Sequence, residues 1–145
     1  MNKHRFLLLV LALAVSSALV GCGGQPATEQ AVEMAPLHEM HADVQSAPVR
    51  TQEAYQFAVA NADLHQQLPC YCGCGNLGHV SLYDCYVEGV EADGDIQFST
   101  HALGCTICVD ISQDAIRLLK QGQSQRTIKD YIDQAYAKYG PSNMP

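Results

Sequence analysis

The sequence is poor in basic residues. Eight Lys and Arg stand against 15 Asp and Glu, and two of the eight, Lys3 and Arg5, precede Cys22. From Cys22 onward, six basic residues therefore face all 15 acidic ones, which gives a net charge of −9. A domain this acidic lacks the positive surface that nucleic-acid binding requires, so we expect no nucleic-acid partner.

Motifs of common enzyme classes are missing as well. The sequence holds no serine or carboxylate constellation that indicates hydrolysis, and it has no phosphate-binding loop and no internal repeat. We therefore do not predict an enzyme, and a binding role is the expectation.

The extended apolar run, Phe6 to Val20, has 15 residues, fewer than the roughly 20 that a membrane-spanning helix needs. It follows the basic head Lys3-His4-Arg5, and this order is typical of a secretory signal. The run leads into "LVGC", residues 19–22, which resembles the lipobox of bacterial lipoproteins. The resemblance implies that residues 1–21 are a signal peptide and that Cys22 carries a lipid. The alternatives are an ordinary signal peptide with a chance cysteine, or a retained anchor.

The lipobox resemblance also implies a location: the cell envelope, on the extracytoplasmic side of a bacterial membrane. Residues 22–50 are rich in Ala, Pro, Gln and Glu and show no sustained periodicity. This composition predicts a flexible tether between the lipid and a folded unit. The remaining residues, 51–145, are predicted to form one small domain whose modest core would benefit from disulfides or a metal.

Three amphipathic segments predict helices in this domain. Residues 51–67 carry a ragged apolar face that ends before Pro69. Residues 105–122 and residues 124–139 each carry a clean stripe, the second capped by Ser124 and ended by Gly140-Pro141, and together they predict a helical hairpin. The fold class is therefore mainly α: a small helical bundle with a Cys-rich loop. The middle segment, 75–104, is predicted to be irregular or short-stranded around its "ADGD" turn.

The domain contains a dense set of cysteines. In the stretch "LPCYCGCGNLGH" three of them stand at alternate positions, so in an extended segment they would face the same way. Neighbouring thiols on one edge are awkward disulfide partners but can converge on an ion, and Gly73 and Gly75 allow the chain to curl toward it. Six cysteines in an oxidising compartment also permit three disulfides, and that alternative stays open. The six are Cys70, Cys72, Cys74, Cys85, Cys105 and Cys108.

A second motif, "CTIC", places Cys105 and Cys108 one turn apart at the predicted start of a helix, where the helix N-terminus favours the thiolate. Two histidines accompany the thiols. His79 follows the first three cysteines, and His101 would share the helix face of the pair if the helix began that early. We predict that the six cysteines, His79 and His101 form a metal site.

The segment "MAPLHEMH" contributes thioether and imidazole groups from Met34, His38, Met40 and His41. Soft thiolate and thioether ligands select copper(I), whereas zinc accepts sulfur together with imidazole. Copper(I) is the predicted ion and zinc the alternative. A polar linker that happens to contain methionines explains the same segment without a metal.

The run "PCYCGC", residues 69–74, resembles the bacterial lipoprotein family named after this motif. The resemblance covers nearly the whole mature domain. It supports the boundaries but adds no chemistry, because the function of that family is not established.

The segment "CTICVDISQDAIRLLKQGQSQRTIKDYIDQAYAKYG", residues 105–140, resembles the CcmH family of cytochrome c maturation. That resemblance implies a three-helix bundle in which Cys105 and Cys108 exchange disulfides with a partner. Two departures weigh against it: Gly104 stands where the family has an arginine, and "PCYCGC" has no counterpart there.

Three functional hypotheses follow. The first is a membrane-anchored lipoprotein that binds a soft metal ion through the Cys/His cluster, for storage or for delivery to an apoprotein. The second is a thiol–disulfide protein that acts on a thiol-containing apoprotein in cytochrome c or metal-site maturation. The third is a disulfide-stapled module that binds another protein.

Overall fold

Five α-helices and a two-stranded sheet make up the part of the chain that the computed structural model describes, residues 30–145. Cys22 and the predicted signal peptide lie outside the described residues. Within residues 30–145, no helix combines the length and the apolar character that crossing a membrane would require. The helices are α1 (Ala42–Gln45), α2 (Val49–Ala60), α3 (Ala62–His65), α4 (Thr106–Lys120) and α5 (Gln125–Tyr136), and the strands are β1 (Val87–Val90) and β2 (Ile96–Phe98).

The C-terminal hairpin, α4 and α5, forms as its periodicity predicts. The Ser124 side chain accepts a hydrogen bond from the Thr127 backbone N–H at 3.2 Å and caps α5. Gly122, in the left-handed region at φ +73°, turns the chain between the two helices. The predicted apolar stripe of α5 is only partly buried. Ile128 and Ile132 are fully buried, whereas Tyr131 lies at the surface.

The first predicted helix is two helices that meet at Asn61. This residue has φ −126° and ψ 47°, which no helix accommodates, and its side-chain amide donates to the carbonyls of Phe57 and Glu33. An asparagine that competes in this way for backbone groups breaks a helix. The first of the two helices also begins at Val49, directly after Pro48, rather than at Thr51.

Part of the predicted tether packs against the domain. Met40 is 4 % exposed and Val44 is 1 % exposed. The backbone of Ala35 is tied to Gln56 of α2, both through its own N–H and through its carbonyl. The packed part of the chain therefore starts before residue 51. The sequence did not indicate this packing, because the apolar residues of the segment are isolated and show no helical periodicity.

The middle segment is short-stranded and irregular, as expected. The antiparallel strands β1 and β2 flank the "ADGD" turn, in which Gly94 adopts φ +96°. Short 3₁₀ helices flank the strands along the chain, at Cys74–Leu77, Tyr83–Cys85 and His101–Leu103. The domain is mainly α, and its core lies where α2, α4 and α5 pack together.

Candidate metal centre

Three segments of the chain bring the cysteines together. The first runs through the "PCYCGC" loop, the second includes the 3₁₀ helix that ends at Cys85, and the third leads from His101 into α4. Four of the six thiols are buried, and Cys72 and Cys105 are half-buried. The two histidines are also half-buried, so the group has a buried side and a partly open side.

The sulfurs of the first and third segments are in contact. Cys70 Sγ lies 3.3 Å from Cys72 Sγ and also 3.3 Å from Cys108 Sγ. Cys72 Sγ lies 3.7 Å from Cys108 Sγ and 3.6 Å from His101 Nε2. These separations place ligand atoms from residues far apart in sequence around common points.

The second segment joins the same group. Cys85 Sγ lies 3.8 Å from Cys74 Sγ and 3.6 Å from His79 Nδ1. The rings of His79 and His101 meet edge to face with centroids 5.1 Å apart. All eight side chains that the sequence suggested as metal ligands thus lie in one cluster. That they bind a metal stays a prediction.

Two sets of four ligand atoms can be distinguished within the cluster, and both contain Cys72. In each set all four atoms lie within 4.8 Å of one another. An ion with tetrahedral metal–sulfur bonds of about 2.3 Å holds its sulfurs about 3.8 Å apart, close to the separations observed. The geometry is therefore compatible with metal binding. The inner set is Cys70, Cys72, Cys74 and Cys85, and the outer set is Cys72, His101, Cys105 and Cys108.

All six cysteines of the described chain are free thiols in this structure. The closest sulfurs, at 3.3 Å, are well beyond the bond length of about 2.05 Å in a disulfide. Cys70 moreover has two equally near neighbours, Cys72 and Cys108, so the arrangement does not single out one disulfide partner.

The "PCYCGC" loop curls at Gly73. This residue has φ +83°, in the left-handed region that favours glycine, and it turns the chain into the 3₁₀ helix that begins at Cys74. Gly73 thus has the role that the sequence predicted. Gly75, the other glycine expected to bend the loop, has no positive φ, and Gly78 adopts φ +87° instead.

Asn143 ties the loop to the C-terminal tail. Its side-chain oxygen accepts from the Cys70 N–H at 2.6 Å, and its amide donates to the Ser81 carbonyl at 2.9 Å. The same amide lies 3.7 Å from Cys74 Sγ, and the Asn143 N–H donates to the Cys70 carbonyl. One residue thus fixes both backbone groups of the first cysteine. No sequence signal pointed to Asn143, because its partners are remote in the chain.

The loop also contacts α5 through Tyr71. The Tyr71 hydroxyl donates to Asp133 Oδ1 at 2.6 Å, and Lys129 donates to the other carboxylate oxygen at 2.7 Å. These hydrogen bonds lower the pKa of Asp133 although its partial burial opposes the shift. Gly140 packs against the backbone of Tyr71, since a Cβ at this glycine would lie 3.1 Å from the Tyr71 carbonyl oxygen. These contacts therefore hold the loop against the C-terminal hairpin.

The "CTIC" motif sits at the start of α4, but later than His101. Cys105 is the N-cap and the helix begins at Thr106, whereas His101 opens a separate 3₁₀ turn. His101 therefore reaches Cys72 by way of this turn and not by sharing a helix face with Cys105 and Cys108.

A buried polar chain lies beneath Cys108. The Tyr86 hydroxyl donates to the Cys108 carbonyl at 2.7 Å, which leaves the Ser112 hydroxyl as donor to the Tyr86 oxygen. The Ser112 oxygen then accepts from His65 Nε2 at 3.1 Å. This order makes His65 the neutral Nε2–H tautomer, and among the described side chains its buried Nδ1 has no hydrogen-bond partner.

The thiols polarise one another. The hydrogen bond from Cys108 lowers the pKa of Cys105 to about 5, against the opposing effect of burial. The pKa of Cys108 is raised, first by its hydrogen bond to Cys105. Burial raises the pKa of Cys72. The sequence attributed a low thiol pKa to the helix N-terminus, and the neighbouring thiol is a further cause in the folded protein.

Two of the possible ligands in the segment before residue 50 have structural roles. Met40 is buried in the apolar core. The His41 ring caps α1 by accepting from the Asp43 N–H at 3.3 Å. The copper-type composition of this segment is thus partly explained by packing and capping.

The chain matches the model of one protein family. Its model, described as "Protein of unknown function with PCYCGC motif", matches residues 8–145. No curated protein and no solved structure matches the chain. The resemblance of the hairpin to the CcmH family therefore stays an expectation from the sequence. Because the match covers nearly the whole chain and includes the motif at residues 69–74, the chain belongs to the family of proteins of unknown function with a PCYCGC motif.

Proposed function

We propose that the protein is a lipid-anchored, extracytoplasmic binder of copper(I) that stores the ion or delivers it to an apoprotein. The observation that carries this proposal is the convergence of six free thiols and two imidazoles in one cluster. Clustered cysteine sulfurs and imidazoles are the donor groups that soft metal ions select.

The chemistry of the donor atoms supports a soft ion. Thiolates dominate both ligand sets, and a single imidazole, His101, completes the outer one. Among first-row ions such sites select copper(I) or zinc. The proposed location rests on the signal-like run and "LVGC" in residues 6–22.

Copper(I) titration against a competing chelator, under anaerobic conditions, tests this proposal. Cys72→Ser and Cys105→Ser should each weaken copper(I) binding, because each removes a sulfur from a ligand set. His101→Asn should weaken it less. Asn76→Ala is the control, because Asn76 is exposed in the cysteine loop and is not among the predicted ligands. If the wild type binds copper(I) no tighter than the two serine variants and binds no more ions than they do, the copper(I) proposal fails. A parallel zinc titration decides between the two ions.

The position of Cys105 favours a second candidate, a thiol–disulfide protein. Cys105 is half-buried at the surface and Cys108 lies buried directly behind it. In this role the Cys105 thiolate attacks a partner disulfide, one partner sulfur leaves as a thiolate, and Cys108 displaces the other. The pair ends as a disulfide and the partner is reduced. Cys108→Ser should then trap a mixed disulfide through Cys105, whereas a metal carrier should trap none.

A further inference from the structure

The cluster holds more ligand atoms than one ion can use. Eight side chains contribute one donor atom each, whereas zinc in structural sites takes four ligands. Seven of these atoms fall into two sets of four that share Cys72, and the eighth, His79 Nδ1, lies 3.6 Å from Cys85 Sγ and belongs to neither set. A single ion at either position would leave thiols of the other set without a metal.

The two ligand sets share one residue and are in contact with each other. Cys72 belongs to both. Cys70 of the inner set and Cys108 of the outer set lie 3.3 Å apart. A thiolate sulfur has more than one lone pair, so Cys72 can bind an ion on each side.

We propose that the cluster is a two-ion centre in which the Cys72 thiolate bridges an inner and an outer metal ion. The inference rests on the proposed function and extends it to the number of ions and their different exchange rates. Besides Cys72, the inner ion is held by Cys70, Cys74 and Cys85, and the outer ion by His101, Cys105 and Cys108.

Burial makes the two positions unequal. Three of the four inner ligands are buried, whereas three of the four outer ligands are half-exposed. A partner's ligand can approach the outer ion past His101 and Cys105, but it can reach the inner ion only after the loop opens. The outer ion is therefore the one that is exchanged, and the inner ion stabilises the fold of the loop.

The first test counts ions and follows their release. The mature chain, loaded with copper(I) under anaerobic conditions, should carry two ions in native mass spectrometry. Excess chelator should remove them in two phases whose rates differ by about tenfold or more, as expected for a barrier difference above about 1.4 kcal/mol. A single ion, or two ions that leave at one rate, would overturn the proposal.

Matched variants then assign the two positions. Cys105→Ser should retain one ion that leaves slowly, and Cys74→Ser should retain one ion that leaves fast. Asn76→Ala, at an exposed position of the loop that is not among the predicted ligands, should retain both. Equal release rates from the two serine variants would contradict the assignment. A chain that binds one ion tightly would refute the two-ion centre but leave the proposed function standing, whereas a chain that binds none would refute both.

Cobalt(II) gives a readout on the wild type if a serine variant does not fold. A thiolate bridge couples the spins of two cobalt ions, so the second equivalent should lower the paramagnetic resonance signal per ion. A signal that simply doubles with the second equivalent would show that Cys72 does not bridge.

Discussion

The C-terminal hairpin and the cysteine loop lie against each other but are held together by different means. α4 and α5 bury regular apolar stripes, with Ile111, Ile128 and Ile132 fully buried. The "PCYCGC" loop has little regular structure and is fixed by Gly73, by Asn143 and by its thiols. The hairpin is thus stabilised by local sequence pattern and hydrophobic burial, whereas the loop depends on a few distant polar contacts and on the contacts among its thiols.

The largest expected effect comes from the hairpin. Ile132→Asp places a carboxylate in a fully buried position and should lower the free energy of unfolding by about 3–5 kcal/mol, enough to unfold a small domain. Gln134→Asp, on the exposed face of the same helix, is the control. Urea unfolding followed by circular dichroism measures both. If Ile132→Asp is as stable as the control, the buried stripe has been misassigned.

A smaller and more local effect is expected from Asn143, which ties the cysteine loop to the C-terminal tail. Asn143→Ala leaves the N–H of Cys70 and the carbonyl of Ser81 without their side-chain partner, at a cost of about 2 kcal/mol. Amide hydrogen exchange should become faster in the loop and stay unchanged in α4. Asn76→Ala, at an exposed position of the same loop, is the control. Equal exchange in the two variants would mean that the tail does not hold the loop.

A pH effect of about the same size is expected from His65. Burial lowers the pKa of this histidine from its ordinary value of 6.5 to about 3. Its contribution to stability is therefore complete above pH 6.5, and it is lost as the pH falls below that value because the unfolded chain takes up the proton. Between pH 7 and pH 5 the loss is about 2 kcal/mol.

The control for this effect is His65→Gln, which keeps an amide donor for Ser112 but does not titrate. Both proteins are unfolded with urea at pH 7 and pH 5 in the same reducing, chelator-containing buffer. Subtracting the change in the variant removes the contribution of the cysteines. If the two proteins lose equal stability on acidification, His65 is not the titrating group.

The smallest effect is expected at the bend of the loop. A Cβ at Gly73 would meet nothing within 4 Å, so Gly73→Ala tests backbone conformation alone. The positive φ should cost about 1–2 kcal/mol. Gly89→Ala is the matched control, because that position is equally open and has no positive φ. Thermal unfolding of the two variants gives the difference, and equal midpoints would show that the loop adapts.

The same contrast explains how much could be predicted from the sequence. Both hairpin helices and the cap at Ser124 follow from patterns a few residues long, and they form as predicted. The cysteines and histidines were recognisable as a set because of their residue types and their density. Their division into two sets joined by Cys72 was not, since it depends on the curl at Gly73 and on segments that meet only in the folded chain.

Other features carried no local signal at all. Asn143 and the chain from Tyr86 through Ser112 to His65 consist of common polar residues whose partners lie far away in sequence. The packing of Met40 and Val44 was missed because they lie in a stretch with a disordered composition. Asn61 broke a predicted helix through a side-chain bond to Glu33, which no periodicity can reveal.

The bond between Asn143 and Cys70 has a consequence for the order of events during synthesis. The two residues are 73 positions apart, so the loop leaves the ribosome well before the residue that closes it. At 5–20 residues per second, this interval is about 4–15 s. During that time the loop that carries the three cysteines of "PCYCGC" lacks its hydrogen bonds to Asn143. The ordered cluster therefore forms late, after both helices of the hairpin have been synthesised.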